Sequence, residues 1–246
     1  MAKMRLHTLR VAAGPNLCVS KSLRPGAGQP ARGFMNSFLC DGPLDAPVHM
    51  LLAHGAGAPM TSPFMETIVS RLAASGLRVH RFEFDYMAQR RAGGSRRPPP
   101  KAEHLVSSYQ DAVAHWAATH VGSQRLYIGG KSLGGRVASL AADDLYRSRS
   151  IAGLICLGYP FHPPKQPAKT RTAHLEGLCC PALIVQGSRD PFGTREDVAQ
   201  YTLSKSIQID WIEDANHDFE RRAARRNSID PFDEAATAVT RFVALV

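Results

Sequence analysis

The chain is predicted to fold as a single α/β domain around a mostly parallel sheet with helices on both faces. Three observations point there. Apolar runs of strand length alternate with segments of helical periodicity along most of the 246 residues. Glycine- or serine-marked turns separate them, as βα units require. The chain length suits one undivided α/β domain.

Taken in order, the elements are these. Val48–Ala53 is an apolar run ending in His54-Gly55-Ala56-Gly57. A helix follows, with Ser62 as its cap, Pro63 in the first position and Gly76 past its end. Its apolar residues Met65, Ile68, Val69, Leu72 and Ala73 recur at helical spacing and give one face to bury. Leu77 to Phe84 reads as a strand, and Leu105, Tyr109, Ala112, Val113 and Trp116 mark the next helix. Leu126 to Gly129 is a strand running into Gly130-Lys131-Ser132-Leu133-Gly134, and Val137, Leu140, Ala141 and Leu145 continue as a helix. Ile151–Leu157, Ala182–Val185 and Ile207–Ile212 are further strands, and Ala235, Ala236, Val239, Phe242 and Val243 define a final helix. The stretch from 158 to 179 is short and rich in proline (Pro160, Pro163, Pro164, Pro167), which leaves no room for a helical cap. The expected pocket is therefore shallow and built from loops at the strand ends.

Gly130-x-Ser132-x-Gly134 carries the chemistry. A serine on a tight strand-to-helix turn is held clear of its own backbone, and the helix N-terminus offers N–H groups to a developing oxyanion. Asp190 follows the Ala182–Val185 run within Gly187-Ser188-Arg189-Asp190-Pro191. His217 follows Ile207–Ile212 within Asp214-Ala215-Asn216-His217-Asp218. Nucleophile, acid and base thus come in the order Ser…Asp…His, each just past a strand. Ser132, Asp190 and His217 are the candidate catalytic residues. The backbone N–H groups of Ala56 and Leu133 are the candidate oxyanion hole. Asp214 and Asp218 are rival neighbours of His217, and His54 is read as a hydrogen-bonder shaping the oxyanion loop. Lys131 is read as a packed or solvent-reaching side chain. Gly130-Lys131-Ser132 resembles the end of a phosphate loop only superficially, because Arg125 stands where that loop needs glycine.

On these residues the chain resembles the α/β-hydrolases. Within them it resembles a small bacterial group related to vertebrate testis-expressed and NSL-complex subunit proteins. The likeness rests on the His54–Gly57 loop with 58–65, Phe84-Asp85-Tyr86-Met87 with Arg90-Arg91-Ala92-Gly93-Gly94, and the Gly130–Gly135 elbow. Gly158-Tyr159-Pro160-Phe161 and the Asp190 and His217 loops complete it. It spans residues 34–246 and implies an α/β-hydrolase fold without a cap domain. Substrate does not transfer with it.

The formal charge is +9. Lys3, Arg5, Arg10, Lys21, Arg24 and Arg32 stand in residues 1–33 without a single acid, leaving +3 for the body. Residues 1–33 are read as a basic extension outside the main fold, with one candidate peripheral strand over Met4 to Val11. They contain no continuous apolar core of a secretory signal. Nucleic-acid binding would have to reside in that extension and is not expected. No apolar run approaches the about 20 residues of a membrane span. Five cysteines (Cys18, Cys40, Cys156, Cys179, Cys180), odd in number and without a C-x-x-C pair, argue for a reducing, cytoplasmic setting. No ligand spacing is found among the histidines, so no metal and no cofactor are expected.

Basic residues crowd the loop from Arg90 to Lys101, on the rim of the nucleophile, and Arg90 and Arg91 are candidate substrate-binding residues. A solvated loop is the competing reading. The function expected is a serine hydrolase cleaving a carboxylic ester, thioester or related acyl bond of a small substrate. The alternative is a hydrolase-fold interaction protein whose triad is vestigial or unused.

Overall fold

The computed structural model describes residues 16–17, 37–94, 98–120, 122–222 and 229–246. Eight strands form one sheet: β1 (Asn16–Leu17), β2 (Leu39–Asp41), β3 (Val48–Ala53), β4 (Arg78–Phe82), β5 (Arg125–Lys131), β6 (Gly153–Leu157), β7 (Ala182–Gly187) and β8 (Ile207–Ile212). Their spatial order is β1-β2-β4-β3-β5-β6-β7-β8. The last six run parallel, while β2 is antiparallel to β4 and β1 to β2. The helices are α1 (Pro63–Ala74), α2 (Asp85–Arg91), α3 (Val106–Thr119), α4 (Leu133–Arg147), α5 (Arg195–Val198) and α6 (Pro231–Leu245).

The central strands bury both faces, as parallel strands do. Period-two alternation sends their side chains to two cores. Leu51, Ile128, Leu154 and Ile184 face α3 and α4. Met50, Leu52, Tyr127, Ile155 and Leu183 face α1 and α6. Each such side chain removed from water contributes about 1.5–3 kcal/mol. Tyr109 of α3 pins the helix to the sheet: its hydroxyl accepts the Gly129 N–H at 2.8 Å and lies 2.6 Å from the Leu51 carbonyl.

Helix α1 has Ser62 at its cap and Pro63 first, as expected, and Gly76 turns away after it at φ 88°. Three elements carry too little pattern to be read from sequence: β2 with its three residues, α2 with seven and α5 with four. The expected strand over Met4–Val11 lies outside the described residues. The described part of the extension, Asn16–Leu17, pairs at the sheet edge with Leu39 and Cys40. Among the described residues, 158–181 holds only a single helical turn, Ala173–Leu175, so no cap covers the sheet.

The chain leaves β3 outward to β4 and returns past β3 to β5. That reversal opens a crevice at the carboxyl ends of β3 and β5, where α/β sheets place their ligands.

Candidate active site

Ser132 stands in that crevice, between the last residue of β5 and the first of α4. Its backbone sits at φ 51°, ψ −110°, a region that costs an L-residue about 1–3 kcal/mol. Two glycines make the turn possible. A Cβ on Gly130 would lie 2.3 Å from the Ala53 carbonyl oxygen, and one on Gly134 would lie 2.4 Å from the same atom. The elbow is pressed against the end of β3, and only hydrogen fits there. The turn is tied down by Ser132 N–H to Leu157 O at 3.0 Å and by Arg136 N–H to Ser132 O at 3.0 Å.

Ala56 and Leu133 flank the serine in one cavity of about 500 Å³. Leu133 is the first residue of α4, so its N–H has no intrahelical acceptor. The orientation of Ala56 is set from behind. Phe84 N–H donates to His54 Nε2 at 3.2 Å, which leaves the His54 proton on Nδ1, and Nδ1 binds the Gly55 carbonyl at 2.6 Å. Tyr86 and Arg90 donate to the Ala56 carbonyl at 3.2 and 3.4 Å. In a trans peptide the N–H points opposite the C=O. Holding Gly55 O toward His54 therefore turns the Ala56 N–H away from it. His54 is fully buried, and burial lowers its pKa, which keeps the ring in that neutral tautomer.

Asp190 and His217 meet across the ends of β7 and β8. His217 Nδ1 lies 2.7 Å from Asp190 Oδ2, and the carboxylate is fully buried. Its charge is met by Gln186 Nε2 at 2.9 Å and by Phe192 N–H at 2.8 Å. The rival acids are engaged elsewhere: Asp214 with Arg189 at 2.8 Å, and Asp218 with Lys131 at 3.2 Å. The two loops are stitched by Arg189 N–H to Ala215 O at 2.9 Å and Asp214 N–H to Ser188 Oγ at 2.8 Å. Phe192 lies against the His217 ring with centroids 4.4 Å apart. Among the described residues no hydrogen bond joins Ser132 Oγ to His217.

Lys131 is buried at the elbow. Its Nζ donates to the His217 carbonyl and lies 4.4 Å from the centre of the Phe64 ring. Burial lowers its pKa while Asp218 opposes the shift. It fastens the histidine loop to the serine turn. Gln186 and Lys131 were not read as site residues from sequence. A polar residue closing the apolar run Ala182–Val185 is the one signal that could have found Gln186.

Arg90 and Arg91 end α2 behind the oxyanion loop. Arg90 reaches Ala56 O and lies over the Tyr86 ring at 5.1 Å, and Arg91 pairs with buried Glu83 at 3.0 Å. Neither is among the described residues lining the cavity. Pro99, Pro100 and Lys101, from the far end of the same basic loop, are.

A second group of side chains could hold a metal: His49, His80 and His120, whose candidate ligand atoms lie within 4.8 Å of one another. They come from three elements, which is why local spacing gave no sign of them. Several of their nitrogens have partners, while His49 Nε2 is buried without one among the described residues. His49 Nδ1 and His80 Nε2 are 3.1 Å apart, Trp116 Nε1–H reaches His80 Nε2 at 3.4 Å, and Trp116 O lies 2.9 Å from His120 Nδ1.

Comparison with known proteins agrees with this architecture. A family model described as an alpha/beta hydrolase domain matches residues 46–244. The chain belongs to that family. Among solved structures, this α/β-hydrolase is similar to a serine hydrolase without a lid from Xanthomonas campestris (17% identity, TM-score 0.63, covering 85% of this chain and 88% of that one). It is also similar to Est1E from Butyrivibrio proteoclasticus (16%, 0.62, 85% and 93%) and to dienelactone hydrolase from Anabaena variabilis (22%, 0.61, 85% and 89%). At such identities the likeness establishes the fold. Among the described residues no helix of this hydrolase is long and apolar enough to cross a membrane.

Proposed function

We propose that the protein is a serine hydrolase that cleaves an ester, thioester or related acyl bond of a small substrate. The observation that carries this reading is the fully buried Asp190 carboxylate, 2.7 Å from His217 Nδ1, on the sheet edge where Ser132 occupies its strained turn. With Nδ1–H given to Asp190, the lone pair of His217 Nε2 is free to take a proton. Ser132 Oγ attacks the acyl carbon, and its proton passes to Nε2. The tetrahedral oxyanion accepts the N–H groups of Ala56 and Leu133. The leaving group then takes the proton from His217, and water repeats the sequence on the acyl-serine. Asp190 orients the ring and offsets the charge of the imidazolium.

Several further elements belong to the same reading. Residues 34–246 act as one domain with 1–33 appended, the setting is cytoplasmic, and the chain groups with the bacterial relatives of the testis-expressed and NSL-complex proteins. A serine hydrolase and a dienelactone hydrolase among the similar structures favour acyl chemistry. A second reading, an interaction protein with an unused triad, has one observation in its favour: Ser132 and His217 are not hydrogen-bonded. Such bonds often tighten only once substrate is bound. A panel of 4-nitrophenyl esters of increasing acyl length separates the two. Turnover in the intact protein that disappears in Ser132→Ala supports the hydrolase. Equal, background hydrolysis by both favours the interaction protein.

A further inference from the structure

The wall of the cavity that holds Ser132 carries an excess of positive charge. Its described lining includes Lys101, Arg136, Lys169 and Arg171, with Glu103 as the one acid. Lys101 and Lys169 are exposed, while Arg136 and Arg171 are partly buried. Two arginines so placed need anions, and the protein supplies one carboxylate between them. Glu103 takes a single bond from Arg136 Nη2 at 2.6 Å. Arg136 Nε is buried without an acceptor. Among the described residues Arg171 Nη1 has only a long contact to the Pro160 carbonyl at 3.4 Å. Burial lowers the Arg171 pKa, and the neighbouring Arg136 charge lowers it further. His174 beside them is held neutral, near pKa 4, by burial and the same Arg136, and adds no further positive charge.

Position ties this pair to the reacting centre. Arg136 lies one helical turn after Ser132, and its N–H donates to the Ser132 carbonyl as the helix's first bond. Helical side chains lean toward the N-terminus, so the Arg136 stem leans back toward the serine end of α4. The opposite wall is apolar, made by Pro99, Pro160 and Phe192.

We propose that Arg136 and Arg171 form a subsite for an anionic group, a carboxylate or phosphate, on the substrate whose acyl bond Ser132 cleaves. The proposal rests on the serine hydrolase reading for the reaction and on the cavity alone for the anion. Two guanidiniums match two oxygens of one anion, which also relieves their mutual repulsion. The anion undergoes no covalent change. It anchors the substrate while the Ser132 Oγ–acyl bond forms and the bond to the leaving oxygen or sulfur breaks. Lys101 and Lys169 at the exposed mouth add attraction on encounter, which salt screens.

The test has two arms. In the first, kcat/KM is measured for the mono-4-nitrophenyl ester of glutarate and for its neutral methyl ester, which has the same acyl chain. The ratio of anionic to neutral substrate should exceed about tenfold in low salt, since charge-assisted hydrogen bonds are worth that much or more. It should fall toward one in Arg136→Gln and in Arg171→Gln, with Arg136→Lys retaining part of it. A ratio near one in the intact protein, together with no phosphate binding in the second arm, overturns the subsite. In the second arm, glutarate and inorganic phosphate are titrated against Ser132→Ala, with melting temperature and calorimetry as readouts. Saturable binding that is lost in Ser132→Ala/Arg171→Gln supports the subsite even if no ester is turned over, an outcome that would sink the hydrolase reading alone. Glutarate binding without phosphate binding makes the group a carboxylate, and the reverse makes it a phosphate. Binding of neither anion overturns the proposal.

Discussion

The two ends of the sheet use histidine in opposite ways. At the carboxyl ends of the strands, His217 has a buried carboxylate on Nδ1. Near the start of β3, His49 and His80 are buried against each other and Trp116, with no carboxylate hydrogen-bonded to either among the described residues. Burial, with charge from neighbouring groups, lowers His49 to about pKa 4 and His80 to about 2. The residue type is constant and the partner decides the chemistry. A histidine given an acid can take a proton during a reaction, whereas one given only rings and burial stays neutral and packs.

The largest expected effect breaks the first half of this contrast. Asp190→Asn keeps the shape of the loop but removes the charge and presents an amide to His217 Nδ1, favouring the wrong tautomer. kcat for 4-nitrophenyl ester hydrolysis should fall by about 10³–10⁴-fold. A loss of less than tenfold would mean that another acid orients the ring.

The second prediction concerns stability at the other end. Above pH 6.5 these histidines are neutral in both folded and unfolded chains. As the pH falls below 6.5 the unfolded chain binds protons first, because the folded pKa values are depressed, so stability declines from there toward pH 4. His49 and His80 should each cost on the order of 2 kcal/mol at pH 5, with His54 and His174 acting in the same direction. Urea midpoints at pH 7.5, 6.5 and 5 measure this, and His80→Asn should flatten the curve. A midpoint that is constant across the range contradicts the assignment.

Lys131 sharpens the comparison on a smaller scale, since it positions the reactive histidine without contacting the chemistry. Lys131→Met keeps the packing against Phe64 and Phe219 but loses the bond to the His217 carbonyl. kcat should drop about tenfold with KM nearly unchanged, as expected for a misplaced catalytic group. A rise in KM with kcat unchanged would point to substrate binding instead. Smallest of all, Asp214→Asn should leave kcat within about twofold, because Asp214 serves Arg189. A hundredfold loss would restore it as the acid.

The contrast also explains what could be read from the sequence. Long periodic elements were legible: β8 spans the expected Ile207–Ile212, and α1 starts at the expected cap. Ser132, Asp190 and His217 could be singled out because each comes a few residues or fewer past a strand, so one-dimensional order maps onto one sheet edge. The histidine cluster was not, since β3, β4 and the end of α3 supply one member each. Nor was the distinction between Arg91, spent on Glu83, and Arg171, facing the cavity. Charge is visible in a sequence, but its partner is a matter of tertiary packing. Helix α2 was not read, because the seven residues Asp85–Arg91 carry too short a period to stand out, and Arg90 and Arg91 at its end were placed in the loop that follows.

The central claim, that this end of the sheet arms one serine, is tested most directly by mapping a fluorophosphonate adduct by mass spectrometry. The intact protein should gain a single phosphonyl group, carried on the peptide that contains Ser132, and Ser132→Ala should gain none while melting within about 2 °C of the parent, since the hydroxyl contributes little packing. An unmodified intact protein, or a variant that still takes up the label, would contradict it.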